Sequence, residues 1–174
     1  MKAKSAKKES ILVSVVMGSD SDLPIMTEAT KVLEEFDIPH ELFLTSAHRT
    51  PERTTKFTQS AVGRGVKVII VGAGAAAHLA GVIAAQTPLP VIGIPIDATS
   101  LHGLDALLST IQMPGGVPVA GMAIGKAGAK NAALFAVRIL ALEDKKISAK
   151  LSAYTGKMAK DVEKKQENIS CRKS

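Results

Sequence analysis

Two adjacent side chains with complementary chemistry lie in the stretch Ser-Ala-His-Arg-Thr-Pro at positions 46–51, namely His48 and Arg49. An imidazole exchanges protons near neutral pH, and a guanidinium keeps its charge and binds phosphate through paired hydrogen bonds. The pair therefore predicts a proton-transfer group beside an anion-binding group. From the residues alone, a loop or capping histidine without chemical work remains the alternative.

A glycine turn with hydroxyl and carboxylate side chains occupies positions 18–22, Gly-Ser-Asp-Ser-Asp. Gly18 allows a sharp turn, and the amides that follow it can point at an anion. Ser19 and Ser21 add hydroxyl donors, and Asp22 can accept hydrogen bonds from sugar hydroxyls. A tight turn capped by its own Ser or Asp is the structural alternative.

A second glycine turn, Gly-Ala-Gly-Ala-Ala-Ala-His-Leu, occupies positions 72–79 and contains Gly74, Ala75 and His78. It is not a complete dinucleotide-binding fingerprint, and positions 18–22 lack the Gly-Lys-Ser/Thr ending of a P-loop. A turn into a close-packed alanine helix is the alternative, and among Ala and Leu neighbours His78 is expected to be structural. The sequence shows no Cys/His/carboxylate spacing typical of a metal site and no serine-hydrolase motif.

The elements that must position these residues alternate between apolar runs and helical patterns. Runs at 11–17, 40–46, 66–72, 89–95 and 117–124 predict five strands. Five helices are expected between and after these strands. The first ends near Phe36, the second runs from Pro51 to about Val62 with Thr50 as its N-cap, and the third ends near Ala85. The fourth covers about 103–111, and the fifth follows Gly125. Such alternation predicts a parallel sheet with helices on both faces.

Ligands of open parallel sheets bind at the carboxyl ends of the strands. The first three predicted strands end at the turn at 18–22, at the stretch 46–51 and at the turn at 72–79. Asp97, Ser100 and His102 follow the fourth predicted strand, and Gly125, Lys126 and Gly128 follow the fifth. Glycines and polar side chains at five separate strand ends therefore predict a ligand site at this edge of the sheet.

The predicted organisation is one catalytic α/β domain at 11–144 between basic ends. Residues 1–10 and 168–174 are expected to be disordered. Between them, 145–167 is a Lys/Glu-rich segment with an apolar stripe typical of an amphipathic helix, which would pack on the same or a neighbouring subunit. That stripe consists of Ile147, Leu151, Tyr154 and Met158.

Charge and composition argue against several classes of protein. The 174-residue chain has a net charge of +6, but residues 1–10 contribute +3, residues 143–174 contribute +4, and residues 11–142 contribute −1. A nucleic-acid-binding surface would distribute basic residues across the fold and often add stacking aromatics, whereas this chain has no Trp, four Phe and one Tyr. The apolar runs are shorter than a membrane span, and a lone Cys indicates a reducing, cytoplasmic location.

Six stretches of the chain resemble the phosphoribosylaminoimidazole carboxylase family of purine biosynthesis. They are the motifs at 18–22, 46–51 and 72–79, the stretch Thr-Pro-Leu-Pro-Val-Ile-Gly-Ile-Pro at 87–95, and the segments 103–119 and 123–134. Within that family they resemble the bacterial branch that acts as N5-carboxyaminoimidazole ribonucleotide mutase. The resemblance runs from about Val13 to Asp144.

That resemblance implies a three-layer α/β/α fold, flavodoxin-like or Rossmann-like, assembled as a homo-octamer. It implies an isomerase of IMP biosynthesis that moves a carboxylate from an exocyclic nitrogen to a ring carbon and gives 4-carboxyaminoimidazole ribonucleotide. Carbon dioxide would be released and recaptured in the site, with no cofactor and no metal. The alanine-rich turn could form the dry pocket that trapped carbon dioxide needs.

The resemblance also implies roles for individual residues. His48 would protonate the departing nitrogen and later take the proton from the ring carbon. Asp22 would bind the ribose and Arg49 would lie near the phosphate. The remaining substrate-binding residues would be Ser19, Ser21, Ser46, Gly74, Ala75 and His78.

Three alternatives stay open from the sequence. The related branch carboxylates aminoimidazole ribonucleotide directly with free carbon dioxide, but it carries Lys at the position of Arg49 and lacks the alanine-rich turn. A related domain carboxylates a pyridinium nucleotide, and a non-enzymatic nucleotide-binding protein is the third possibility. Ala75 and Ala80 depart from the Gly and Pro of many members, and we expect strain at Ala75 if its φ is positive.

Overall fold

The computed structural model describes residues 10–170. The predicted tails at 1–9 and 171–174 lie outside the described residues. Ser10 is exposed and lies outside any helix or strand, whereas residues 168–170 belong to a helix and not to the tail predicted there. The described chain forms two compact units that divide between positions 136 and 137, whereas the sequence placed a boundary at 144.

A five-stranded parallel sheet forms the first unit, with strand order β2-β1-β3-β4-β5. The strands are β1 (Val13–Met17), β2 (His40–Leu44), β3 (Val68–Gly74), β4 (Val91–Ile96) and β5 (Ala120–Gly121). The helices are α1 (Leu23–Glu35), α2 (Pro51–Ala61), α3 (Leu79–Ala84), α4 (Leu104–Ile111), α5 (Lys126–Ala141) and α6 (Lys145–Ser170). This flavodoxin-like strand order confirms the predicted three-layer α/β/α fold.

Burial on both faces explains why the central strands carry almost no polar alternation. Every residue of β1 and β4 is buried, as are the first five residues of β3. The fifth strand is much shorter than predicted, two residues against eight. Pro118 has no backbone N–H to donate to a ladder, and Val117 N donates to Pro114 O in a turn, so pairing begins only at Ala120.

The second unit, residues 137–170, contains the end of α5 and the whole of α6. Asp144 Oδ1 accepts from the backbone N–H groups of Lys146 and Ile147 and caps the start of α6. The helix extends to Ser170, three residues beyond the predicted end. Along residues 10–170, no helix combines the length and apolar character required to cross a bilayer.

The exit of β3 contains a backbone conformation that L-residues rarely adopt. Ala75 has φ of 53°, in the left-handed region, so the condition under which the sequence analysis expected strain at this position is met. Ala76, the next residue, is exposed and is not among the residues with positive φ. A side chain with a Cβ in the left-handed region is strained by roughly 1–2 kcal/mol.

We expect Ala75→Gly to increase the free energy of unfolding by about 0.5–1 kcal/mol. Relief of roughly 1–2 kcal/mol of strain exceeds the loss of about 0.4–1 kcal/mol that glycine causes by loosening the unfolded chain. Ala76→Gly is the matched control and should destabilise, because it brings the second effect without the first. Urea unfolding of the three proteins measures the difference, and equal destabilisation by both substitutions would contradict strain at Ala75.

Candidate active site

One cavity of about 320 Å³ lies at the carboxyl edge of the sheet, where β1, β2 and β3 end. Eight of the nine predicted site residues line it: Ser19, Ser21, Asp22, Ser46, His48, Arg49, Gly74 and Ala75. The ninth, His78, is joined to the cavity by a hydrogen bond to His48. The structure therefore brings all nine together, and their individual roles stay predictions.

The two histidines form a pair. His48 Nε2 lies 2.9 Å from His78 Nδ1, and the ring planes are nearly perpendicular at 84°. One proton must lie between these two nitrogens, because a hydrogen bond needs one donor and one lone pair. When the neutral ring of His48 donates to His78, its outer nitrogen, Nδ1, carries the lone pair of a base; when the ring is protonated, Nδ1 carries the proton of an acid.

The β1 exit is a capped turn, and the same turn lines the cavity. Asp22 Oδ2 accepts from Ser19 N at 3.0 Å and the Ser19 side chain accepts from the backbone N–H of Asp22, and these two bonds make a capping box. Ser19 Oγ also accepts from Ser21 N at 3.4 Å. The structural alternative for this segment is therefore observed, and it does not exclude ligand contact, since Ser19, Ser21 and Asp22 all line the cavity.

The carboxyl group of Asp22 is almost fully buried, with 4% of the residue exposed. Burial raises the pKa of this carboxyl above the usual aspartate value, because desolvation disfavours the charged form. Hydrogen bonds from the backbone N–H groups of Ser19 and Gly18 lower the pKa and only partly offset that effect. A desolvated acceptor at the cavity wall is well suited to bind a sugar hydroxyl.

Buried hydroxyl groups hold the loop that carries His48 and Arg49. Thr45 Oγ1 lies 2.9 Å from Thr54 Oγ1 and 3.2 Å from Thr50 Oγ1. Thr50 Oγ1 accepts from Ser46 N at 3.0 Å and donates to Ser46 O at 3.1 Å. These bonds close the turn at 46–50 and fix the backbone on which the imidazole and the guanidinium stand.

Thr50 therefore has a different function from the one its position suggested. It precedes Pro51 at the start of α2, as predicted, but its side chain makes no capping bond to the helix. Its hydroxyl is used within the loop because Thr45 and Ser46 offer partners there. A pattern of Thr before Pro does not distinguish these two uses.

The β3 exit must be glycine for a steric reason. A Cβ on Gly74 would lie 2.5 Å from the Cβ of Ala98, which follows β4 and also lines the cavity. Sequence reasoning placed Gly74 in the site but missed Ala98, Thr45 and Thr54. The two threonines are buried, and nothing in a single sequence distinguishes a Thr that packs in the core from one that braces a loop.

Arg49 reaches across the cleft to the first strand exit. Its Nη2 donates to Gly18 O at 3.2 Å, and Arg49 has no carboxylate ion-pair partner among residues 10–170. Within the same range, no group of three or more His, Cys, Asp or Glu side chains is placed to hold a metal ion. The site thus presents an imidazole pair, an unpaired guanidinium and a buried carboxyl around one cavity.

We expect the stability difference between Asp22→Asn and the wild type to grow in favour of the variant as the pH rises from about 4 to about 7. The raised pKa means that the folded protein holds the proton more tightly than the unfolded chain, so this carboxyl contributes stability at low pH that is lost as the pH rises through the folded-state pKa. The amide has no such dependence. Urea unfolding across this range measures it.

The control is Asp20→Asn, which removes an exposed carboxylate from the same turn. If the stability difference for Asp22→Asn stays constant with pH, or moves in the opposite direction, the burial argument for Asp22 is wrong.

Comparison with known proteins identifies the family of this chain. The AIR carboxylase family profile matches residues 12–161. The N5-carboxyaminoimidazole ribonucleotide mutase of Pyrococcus horikoshii is 53% identical over 165 residues, which cover 95% of this chain and 92% of that protein. The phosphoribosylaminoimidazole carboxylase of Candida glabrata is 50% identical over 158 residues, 91% of this chain and 27% of that much longer protein.

A solved structure shows the same similarity in three dimensions. Treponema denticola PurE matches with a TM-score of 0.82 and 29% sequence identity, covering 91% of this chain and 98% of that chain. The family match over residues 12–161 includes all the strand exits that form the cleft. The chain belongs to the AIR carboxylase family.

Proposed function

We propose that this chain is an isomerase of IMP biosynthesis that converts N5-carboxyaminoimidazole ribonucleotide to 4-carboxyaminoimidazole ribonucleotide. The observation that carries the proposal is the His48–His78 pair at the wall of a cavity that also presents Arg49. The 53% identity to the Pyrococcus horikoshii mutase over 95% of the chain supports this reaction.

The reaction needs one proton to be given and one to be taken. As the bond between the exocyclic nitrogen and the carboxylate carbon breaks, the nitrogen takes a proton from His48 and carbon dioxide is released. The ring carbon C4 then attacks carbon dioxide, and His48 removes the proton that C4 carried. The histidine ends in its starting state, and the His78 bond holds the ring through both steps.

Carbon dioxide must stay in the cavity between the two steps. Part of the cavity wall is apolar and could hold carbon dioxide. It consists of five alanines and one leucine: Ala47, Ala73, Ala75, Ala76, Ala98 and Leu79. Such a wall binds water poorly and leaves space for a small apolar molecule. It lies beside His48, where the released molecule is formed.

Assembly of several chains is part of the proposal. Four apolar side chains are exposed along α4 and the turn before it, each more than two fifths accessible: Leu101, Leu104, Leu108 and Ile111. The spacing of Leu104, Leu108 and Ile111 by four and three residues places these three on one face of α4, and Leu101 lies in the turn before the helix. An exposed apolar stripe of this kind supports the homo-octamer that the resemblance implies. The cytoplasmic location stays a prediction.

A direct carboxylase that uses free carbon dioxide is the second candidate function. The carboxylase name of the Candida glabrata relative, at 50% identity, favours it. Arg49 and the alanine-rich turn favour the mutase, because the carboxylase branch described above has Lys at that position and lacks the turn.

Isotope retention distinguishes the two functions. The purified chain is given N5-carboxyaminoimidazole ribonucleotide with a labelled carboxylate, with and without unlabelled bicarbonate. We expect labelled 4-carboxyaminoimidazole ribonucleotide at the same rate in both, because the carbon dioxide is recaptured before it escapes. A rate that rises with bicarbonate, with label lost from the product, would establish the carboxylase instead.

His48→Asn should reduce kcat by a factor of about 10²–10⁴, the usual contribution of a general acid–base group. Binding of aminoimidazole ribonucleotide should change little, because Arg49 and Asp22 remain. Steady-state kinetics and calorimetry measure the two quantities. His78→Asn is the companion variant and should reduce kcat less, since it leaves the reacting imidazole in place. Near-normal turnover by His48→Asn would refute the assigned proton transfer.

A further inference from the structure

A second cavity of about 330 Å³ adjoins the first and has no part in the proton-transfer chemistry described above. The two cavities share Gly18, Ser19, Ser46 and Arg49. The rest of the second lining consists of Asp20, Leu44, Thr45, Thr50 and Arg53. Arg49 thus stands on the boundary between the two cavities.

The two cavities differ in the summed formal charge of the side chains that line them. The first contains Arg49 and Asp22, whose formal charges cancel when Asp22 is ionised. The second contains Arg49, Arg53 and Asp20, with a formal sum of +1. A phosphate monoester carries about −1.5 to −2 charges near neutral pH. The second cavity is therefore the more favourable of the two for a phosphate, and without Arg53 its charges would also cancel.

Arg53 is held in place without being neutralised. Its guanidinium carbon lies 4.9 Å from the ring centroid of Phe43, which stacks on Phe57 at 4.3 Å. Arg64 lies over Phe57 in a similar way but is paired with Glu41 at 2.6 Å. Among residues 10–170, Arg53 forms no ion pair with a carboxylate. Two guanidiniums therefore lie over the aromatic pair. That of Arg64 is neutralised by a carboxylate, and that of Arg53 remains available to bind an anion.

The position of Arg53 in its helix is unfavourable for stability. It lies in the first turn of α2, which begins at Pro51. The helix dipole favours acidic residues in a first turn and disfavours cations there. A cation in this position, facing a cavity beside a second unpaired arginine, indicates a role in binding an anion.

We propose that Arg53 is a second phosphate-binding residue and that the 5′-phosphate of the ribonucleotide lies in this second cavity between Arg49 and Arg53. This inference rests on the proposed function and adds to it the place of the phosphate. The heterocycle then occupies the first cavity beside His48. The two guanidiniums bind the end of the substrate that does not react, so Arg53 affects binding and not the chemical step.

The test compares Arg53→Gln with Lys56→Gln, which removes one positive charge from an exposed residue of the same helix. Two probes are bound to each protein by calorimetry, aminoimidazole ribonucleotide and its dephosphorylated ribonucleoside. Arg53→Gln should weaken ribonucleotide binding about tenfold, equivalent to about 1.4 kcal/mol, and leave ribonucleoside binding within about twofold. Lys56→Gln should change neither.

Kinetics and a conservative variant complete the test. Arg53→Gln should raise KM about tenfold with kcat changed less than about threefold. Arg53→Lys should recover part of the affinity, because it restores the charge without the planar fork. Equal effects of Arg53→Gln and Lys56→Gln, or equal weakening of both probes, would overturn the proposal. A wild type that binds the ribonucleotide without turnover would refute the proposed function and leave the binding comparison valid.

Discussion

The cleft depends on the parallel register of β1 with its two neighbours. Met17 pairs with Leu44 of β2 on one side and with Gly72 of β3 on the other. The hydrogen bonds continue past the strand, from Gly18 N to Gly72 O and from Thr45 N to Met17 O. Three segments that are far apart in sequence therefore end close together, and this brings the imidazole, the guanidinium and the buried carboxyl around one cavity.

Two features fix the backbone of these segments, and one of them stabilises the folded state whereas the other strains it. The loop at 46–50 is stabilised by hydroxyl bonds among Thr45, Thr50 and Thr54, which satisfy the buried hydroxyls of Thr45 and Thr54 that desolvation would otherwise penalise. The β3 exit is instead held in a strained conformation at Ala75. Surrounding structure must determine that backbone, and such strain is commonly concentrated at functional sites.

The features that could be predicted from the sequence are those with a local cause. Apolar runs predicted the strands, and the adjacent His48 and Arg49 predicted a ligand site at the end of the second strand, where both side chains line the cavity. The features that could not be predicted depend on which of several possible partners a group finds in the folded chain. Thr50 had the local pattern of a helix cap, but its hydroxyl is used by Thr45 and Ser46. The fifth strand was overestimated because an apolar run does not show which N–H groups are used in turns.

Arg53 illustrates the same limit for a charged residue. In the sequence it is one of several cations on a predicted helix surface, and its significance comes from its contact with Phe43 and from the cavity that it borders together with Arg49. The folded centre at 11–142 carries a net charge of only −1, and several cations in it are paired with carboxylates, as Arg64 is with Glu41. In a domain this close to neutral, long-range attraction of an anionic substrate is weak. In the proposed binding mode, unpaired guanidiniums at short range determine where the phosphate binds, and so which part of the substrate faces His48.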